Sequence, residues 1–267
     1  MKPLIHFAHA NGVPSQVYQK LFDLLKDEYE VIYVPLLGTD KRYPIDNHWE
    51  SLTNQVIDSI VRQAKGRPVI GLGHSLGSVL TFQAALKRPE LFSQVIMLDP
   101  PLIMGKDGFA LHVAKLLKLK AVDRMSPAAL SLRRRDHWDS REQAAELLRP
   151  KGFYKDFDAD CFQAYIDYAL TEDKVRGGVE LTIPKMDEVK VFRTNPSLWW
   201  LPRKKIHLPI HMVVAEQSPF LPRRFPQMVK KKFGVPFSIT AGGHMFPLEH
   251  PVEVVKLVKD LIQQQAQ

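Results

Sequence analysis

Ser75 lies in Gly73-His74-Ser75-Leu76-Gly77, between the apolar run Pro68-Val69-Ile70-Gly71-Leu72 and residues 76–85, which read as a buried helix. Strand, sharp turn and helix in that order form a nucleophile elbow, which lifts the serine hydroxyl to the carboxyl end of a central strand. The turn is strained, so the positions flanking the serine must lack a bulky Cβ, and the glycines at 73 and 77 meet that need. A bare G-x-S-x-G is a weak signal; its setting carries the reading. A serine hydroxyl is a poor nucleophile at neutral pH, and it needs a histidine to take its proton and a carboxylate to hold that histidine in the right tautomer. The candidate base is His244, in Ala241-Gly242-Gly243-His244-Met245-Phe246, a loop between the last strand pattern and the last helix pattern. The blander reading, a loop histidine with no partner, is outweighed by the elbow upstream. His250 reads as a surface residue at a helix start. Attack on a carbonyl also requires N–H donors for the oxyanion. Leu76 supplies one, and Asn11 supplies the second from the tight turn His9-Ala10-Asn11-Gly12-Val13-Pro14. The same turn leads the chain into a helix near Ser15, and the two roles are compatible.

These groups need a sheet to hold them. β-rich runs at 4–8, 31–35, 69–73, 94–98, 210–215 and 236–240 alternate with helical periodicities such as Tyr18, Leu21, Phe22, Leu25 and Leu52, Val56, Ile60, Ala64. Alternation of this kind predicts an α/β fold, a mostly parallel central sheet of about six strands flanked by helices. The rhythm fails after Pro101, where helical patterns at 126–132, 141–148 and 160–170 follow one another without core strands. The expectation is an inserted helical cap, residues 101–206, on a core built from 1–100 and 207–267. Within it, 177–184 reads as an extended stretch and Gly177-Gly178 as a candidate hinge. Trp138, Phe153, Phe157, Tyr165, Tyr168, Trp199, Trp200 and Phe220 gather in and near the cap and read mainly as packing, because amphipathic helices must bury an apolar face. Met245, Phe246 and His74, next to the base and the nucleophile, are the candidate pocket-lining residues. Glu249 reads as support for the loop or for the last helix.

A chain of 267 residues, 45% hydrophobic, can bury a full core. It has no apolar run long enough for a membrane span, and its first ten residues lack the uninterrupted apolar stretch of a signal peptide. Cys161 is the single cysteine, which rules out an internal disulfide or a cysteine metal cluster and suits a reducing cytoplasm. The formal charge of +8 comes partly from the runs Arg133-Arg134-Arg135, Arg203-Lys204-Lys205 and Lys230-Lys231-Lys232, which read as solvated faces. No continuous basic stripe or nucleic-acid module accompanies them, so a nucleic-acid partner is not expected, whereas an anionic substrate group is compatible. H-E-x-x-H, paired carboxylates, G-x-G-x-x-G after a strand and Walker-type loops are all missing from the sequence, so the expected chemistry uses no metal and no cofactor. The sequence assigns no oligomeric state.

The spacing of His9-Ala10-Asn11-Gly12, Gly73-His74-Ser75-Leu76-Gly77, Leu98-Asp99-Pro100 and Gly243-His244 resembles the α/β-hydrolase superfamily, in its small capped serine-esterase branch, over nearly the whole chain. The resemblance implies hydrolysis of a small acyl ester or thioester through an acyl-enzyme, under a cap. Carbon–carbon bond hydrolysis, lactone opening and perhydrolysis use nearly the same residues, and a non-enzymatic binding protein that keeps the fold is the alternative from another class. Two departures stand out. The hairpin that opens many members is missing before the first strand, which predicts a smaller sheet. The family's usual acid follows the next-to-last strand, yet Ala215-Glu216-Gln217-Ser218-Pro219 has Ser218 where aspartate is expected. Some members take the acid from the end of the strand after the elbow helix, which here is Asp99. Glu216 is the alternative acid.

Overall fold

The structure, a computed structural model, describes residues 1–199, 201 and 207–265; Trp200 and the run Arg203-Lys204-Lys205 lie outside the described residues. Its strands are β1 (Leu4–Ala8), β2 (Glu30–Tyr33), β3 (Val69–His74), β4 (Phe92–Leu98), three short ones, β5 (His137–Trp138), β6 (Leu170–Glu172) and β7 (Val179–Leu181), then β8 (Ile210–Ala215) and β9 (Phe237–Thr240). Helices α1 (Gln19–Leu25), α2 (Glu50–Ala64) and α3 (Leu76–Lys87) link the early strands. Between β4 and β8 run α4 (Gly105–Leu116), α5 (Ala128–Arg133), α6 (Arg141–Leu148), α7 (Ala159–Tyr168) and α8 (Lys185–Arg193). The chain ends in α9 (Phe225–Phe233), the single turn α10 (Phe246–Glu249) and α11 (Pro251–Gln265). No helix among the described residues is long and apolar enough to cross a membrane.

Six strands pair in the order β2-β1-β3-β4-β8-β9, all parallel. Both faces of the sheet are covered, as parallel strands joined by crossover helices require. Residues of alternate parity separate cleanly. Ile5, Phe7, Ile70, Leu72, Ile96, Leu98 and Val213 join the apolar cluster of α1 and α11, and Leu4, Val69, Val95, Met97, Met212 and Val214 join that of α2, α3 and α9. Strand order reverses between β1 and β3, and the crevice outside the carboxyl ends of strands at such a switch point is where α/β sheets bind ligands.

The segment between β4 and β8 departs from an all-helical insertion, because β5, β7 and β6 form a three-stranded antiparallel sheet within it. Gly177 and Gly178 lie in the hairpin joining β6 to β7, and both have left-handed φ, +76° and +72°. The Asp173 carboxylate accepts the Val175 and Arg176 N–H groups at 3.0 and 2.9 Å, which fixes the turn. Trp138, Phe157, Cys161 and Tyr165 are buried in the same cluster as α1 and α11, so the segment and the sheet share one core.

The two hairpin glycines differ in their surroundings, and this yields a prediction. A Cβ on Gly178 would stand 2.2 Å from the Trp138 carbonyl oxygen, whereas one on Gly177 meets nothing within 4 Å. Gly177→Ala is therefore expected to cost only the left-handed backbone penalty, about 1 kcal/mol. Gly178→Ala is expected to cost at least about twice that, because the backbone must also move. Urea denaturation of the two variants checks the difference; equal losses would count against the hairpin packing.

Candidate active site

β3 delivers Ser75 at its carboxyl end, where the serine has φ +52° and ψ −115° and retains 8% of its surface. Glycine is required on both sides by contact with backbone. A Cβ at Gly73 would meet the Gly77 carbonyl oxygen at 2.4 Å, and one at Gly77 would meet that of Ala8 at 2.0 Å. The Ser75 N–H donates to the Leu98 carbonyl (2.9 Å) and the Gly77 N–H to that of His9 (3.0 Å). Beneath the turn, the buried Ser78 hydroxyl donates to the Gly73 carbonyl (2.5 Å) and accepts the Leu98 N–H (3.0 Å), tying the elbow to the end of β4. Ser78 was not singled out in the sequence; a small polar residue on an otherwise apolar buried helix is the signal that could have found it.

Asp99 is the residue after β4. It too has left-handed φ, +45°, a conformation that aspartate tolerates better than most residues. Its side chain is fully buried. One carboxylate oxygen accepts the Ala215 N–H at 3.2 Å, and the other lies 2.5 Å from His244 Nδ1. His244 Nε2 lies 2.9 Å from Ser75 Oγ. A carboxylate on Nδ1 requires the proton there, so the Nε2 lone pair faces the serine hydroxyl, which donates to it. Ser75, His244 and Asp99 are thus brought together in the sequence order serine, acid, histidine.

Glu216 is exposed, its N–H donates to the Thr240 carbonyl, and its carboxylate makes no hydrogen bond to the His244 ring, whose Nδ1 is already engaged by Asp99. The alternative acid is therefore not brought to the site. Ser218, in the turn after β8, is buried and its hydroxyl accepts the Phe220 N–H at 3.3 Å. Phe220 in turn meets the His244 ring edge-on, with centroids 5.7 Å apart.

Ala10 to Val13 form a tight turn closed by the Val13 N–H on the Ala10 carbonyl (3.1 Å), with Gly12 at φ +75°. Among the described residues, neither the Asn11 nor the Leu76 main-chain N–H donates to another protein group. The Asn11 side chain donates to the Glu188 carbonyl (3.0 Å), and a Cβ on Gly12 would stand 2.9 Å from Glu188 Oε2. That carboxylate accepts from Ser131 Oγ (2.7 Å) and Arg134 Nη1 (2.6 Å). The first turn of α8 is therefore docked on the Asn11 turn by the Asn11 amide, and the Glu188 carboxylate beside Gly12 is held by Ser131 and Arg134. Nothing local in the sequence marks Glu188, since charged residues in an amphipathic segment read as surface.

The three pocket-lining candidates occupy other places. Met245 and Phe246 are buried in the apolar cluster with Leu248, Val254 and Val258, at the start of the single helical turn α10. His74 is fully buried in a chain of hydrogen bonds: the Ala10 N–H donates to Tyr18 Oη (3.4 Å), the Tyr18 hydroxyl to His74 Nδ1 (2.7 Å), and His74 Nε2–H to the His244 carbonyl (2.8 Å). Burial pushes His74 down to about 3, and burial raises the Tyr18 phenol above its ordinary value, so one stays neutral and the other stays a donor. His9 is neutral for the same reason, at about 4; it donates to the Ala10 carbonyl (2.7 Å) and accepts the Leu37 N–H (2.8 Å). Glu249 accepts the Gly243 N–H at 2.7 Å and supports the His244 loop. Among the described residues no group of three His, Cys, Asp or Glu side chains is arranged to hold a metal ion.

A parallel sheet with a serine elbow at its switch point, a histidine after the last strand and a buried aspartate between them is the architecture of an α/β hydrolase. The profile of the alpha/beta hydrolase family matches residues 7–257, and the chain belongs to that family. It is similar to the type I acyl-CoA thioesterase mpaH of Penicillium brevicompactum, 23% identical over 216 residues that cover 68% of this chain and 47% of that protein. The chain thus spans about half the length of the curated relatives it matches first. Among solved structures it is similar to E-2-(acetamidomethylene)succinate hydrolase, with TM-score 0.75 and 20% identity over 98% of this chain and 92% of that one. The thioesterase domain from the curacin biosynthetic pathway is also similar, with TM-score 0.71 and 17% identity over 96% and 91%. These structural likenesses concern the fold.

The buried histidines give a pH prediction. His6, His9 and His74 have folded-state values depressed to about 3, 4 and 3. Below pH 6.5 the unfolded chain binds protons that the folded one does not, so the stability these groups leave intact above that pH is lost as pH falls. The expected slope between pH 6 and pH 4 approaches about 1.4 kcal/mol per pH unit for each histidine. Urea midpoints at pH 7 and pH 5 check it; equal stability at the two values would contradict the neutral, buried state of these rings.

Proposed function

We propose that this protein is a serine hydrolase that cleaves a small acyl ester or thioester through an acyl-enzyme intermediate. The observation that carries the reading is the continuous hydrogen-bonded line from Asp99 through His244 to Ser75 Oγ at a strained elbow. As the Ser75 oxygen attacks the substrate carbonyl, its proton passes to His244 Nε2, and Asp99 stabilises the imidazolium that forms. The Asn11 and Leu76 N–H groups receive the oxyanion. His244 returns the proton to the departing alcohol or thiol, leaving an acyl ester on Ser75. Water, deprotonated by the same histidine, then releases the acid and restores the serine.

Residues 101–206 act as the cap in this reading, and the contact of Glu188 with the Asn11 turn supports it, since displacing the segment would disturb an oxyanion donor. The substrate is a small molecule, and its thioester form is supported by similarity to an acyl-CoA thioesterase and to a thioesterase domain. Cys161 does not compete as a nucleophile: it is buried, and burial pushes its thiol up to about 12.

A series of nitrophenyl esters and acyl thioesters of increasing chain length tests the activity, and a fluorophosphonate probe tests the nucleophile, with labelling expected at Ser75. Ser75→Ala should abolish turnover and labelling while keeping the fold. Turnover should fall by about 10³–10⁴ in Asp99→Asn through the wrong imidazole tautomer, and by less than about twofold in Glu216→Gln. Residual turnover above a few per cent in folded Ser75→Ala would remove the serine from the mechanism, and the reverse ranking of the two acids would remove Asp99.

A further inference from the structure

At the far end of α8 from the Asn11 turn, a cleft of about 490 Å³ opens between the chain that leaves α4 and the approach to α2, with Asn47, Lys115, Lys118, Lys120, Asp123 and Arg193 in its walls. We propose that this cleft is a binding site for a phosphate-bearing anion. Its volume is that of a small-molecule site, which typically spans roughly 300–1,000 Å³. Four cationic side chains face one carboxylate, and that carboxylate is fully used: Arg193 Nε and Nη2 donate to Asp123 at 2.7 and 2.8 Å. Three ammonium groups are left over. Lys118 and Lys120 are exposed and, among the described residues, paired with no carboxylate.

Lys115 is the most telling of the three. It is half-buried, and its Nζ donates to Asn47 Oδ1 and to the Asn195 carbonyl, both at 2.7 Å and both neutral. Burial pushes its ammonium down to about 8. A cation held away from water without a counter-charge is unfavourable by itself, and an anion in the cleft would reverse the balance. Phosphate suits a cleft lined by three lysines better than carboxylate does, since it presents more oxygens and up to twice the charge. Lys118 has left-handed φ, +51°, at the turn that carries the chain from α4 to Lys120.

Two sources can present this chemistry. One is a soluble phosphate ester or diphosphate. The other is the headgroup of an anionic lipid, for which Leu116, Leu117 and Leu119, exposed by 71, 61 and 47% beside the lysines, would form the apolar rim that enters a bilayer interface. The inference does not rest on the hydrolase reading, and its test reads binding instead of turnover.

The full chain is titrated calorimetrically with inorganic pyrophosphate and with ADP at low ionic strength, and sedimented with vesicles of phosphatidylglycerol or of phosphatidylcholine. Binding of pyrophosphate or ADP is expected if the ligand is soluble. Binding to phosphatidylglycerol and not to phosphatidylcholine is expected if it is a headgroup. In either arm the variant Lys118→Glu/Lys120→Glu should weaken binding at least roughly tenfold, since each reversal replaces attraction by repulsion across the cleft. Lys118→Ala/Lys120→Ala gives the same direction without introduced charge. Lys65→Glu/Lys256→Glu, an equal charge change on exposed lysines elsewhere, should retain binding. The proposal is overturned if neither phosphates nor phosphatidylglycerol vesicles bind, or if the control variant loses as much as the cleft variants.

Discussion

The carboxyl edge of this protein depends on how closely the first turn of α3 approaches the end of β1. At Gly77 the two backbones touch with no room for a methyl group, and the Gly77 N–H completes the contact on the His9 carbonyl. Ser75 holds a left-handed φ between these fixed points because both sides of the turn are over-determined by packing and hydrogen bonds. The same approach ties the first turn of α3 to the residues that lead into the Asn11 turn, at the reversal of strand order. A larger residue at 73 or 77 would do more than weaken the core. It would force the Ser75 turn apart, since a Cβ at either position overlaps backbone.

Burial then sets the electrostatics around the crevice. Asp99 is a carboxylate without solvent, which is tolerable because Ala215 N–H and His244 Nδ1 each take one of its oxygens. Next to it, His74 is neutral, so no second charge competes for the field of that carboxylate. Its two ring nitrogens are both occupied, by the Tyr18 hydroxyl on one side and the His244 carbonyl on the other. The elbow histidine thus steadies the loop that carries His244 instead of facing a ligand. Tyr18 in turn reaches the Ala10 N–H, so the Asn11 turn and the His244 loop are held by one chain of hydrogen bonds.

Much of this was legible in the sequence because it rests on local rules. The six core strands follow from short β-rich runs that alternate with helical periodicities, and the Gly-flanked serine carries its own turn geometry. The reading was weaker where geometry depends on residues far apart in sequence. Met245 and Phe246 look like pocket residues beside a base, but the helical turn that begins there buries them in the core. His74 looks like a pocket residue beside a nucleophile, yet its partner Tyr18 is 56 residues away and nothing local announces it. Glu188 and Arg134 read as surface charges, since an ion pair across 54 residues is invisible to periodicity. Gly177-Gly178 showed that the backbone bends there; only the pairing of β6 with β7 shows that it closes a hairpin.

In the proposed triad the acid comes from the end of β4 and not from the turn after β8. With Ser218 in the turn after β8, that turn has no short carboxylate to aim at His244, and its serine is spent on holding the local backbone through the Phe220 N–H. Glu216 has a longer side chain but starts from an exposed position and stays outside. Asp99, one strand nearer the elbow in the sheet order, fills the role geometrically because β4 lies directly between β3 and β8. Its left-handed backbone and the prolines that follow it hold the carboxylate under the imidazole. With Asp99 as the acid of the proposed triad, the turn after β8 meets His244 through a different group. That group is Phe220, whose ring packs edge-on against the imidazole with centroids 5.7 Å apart.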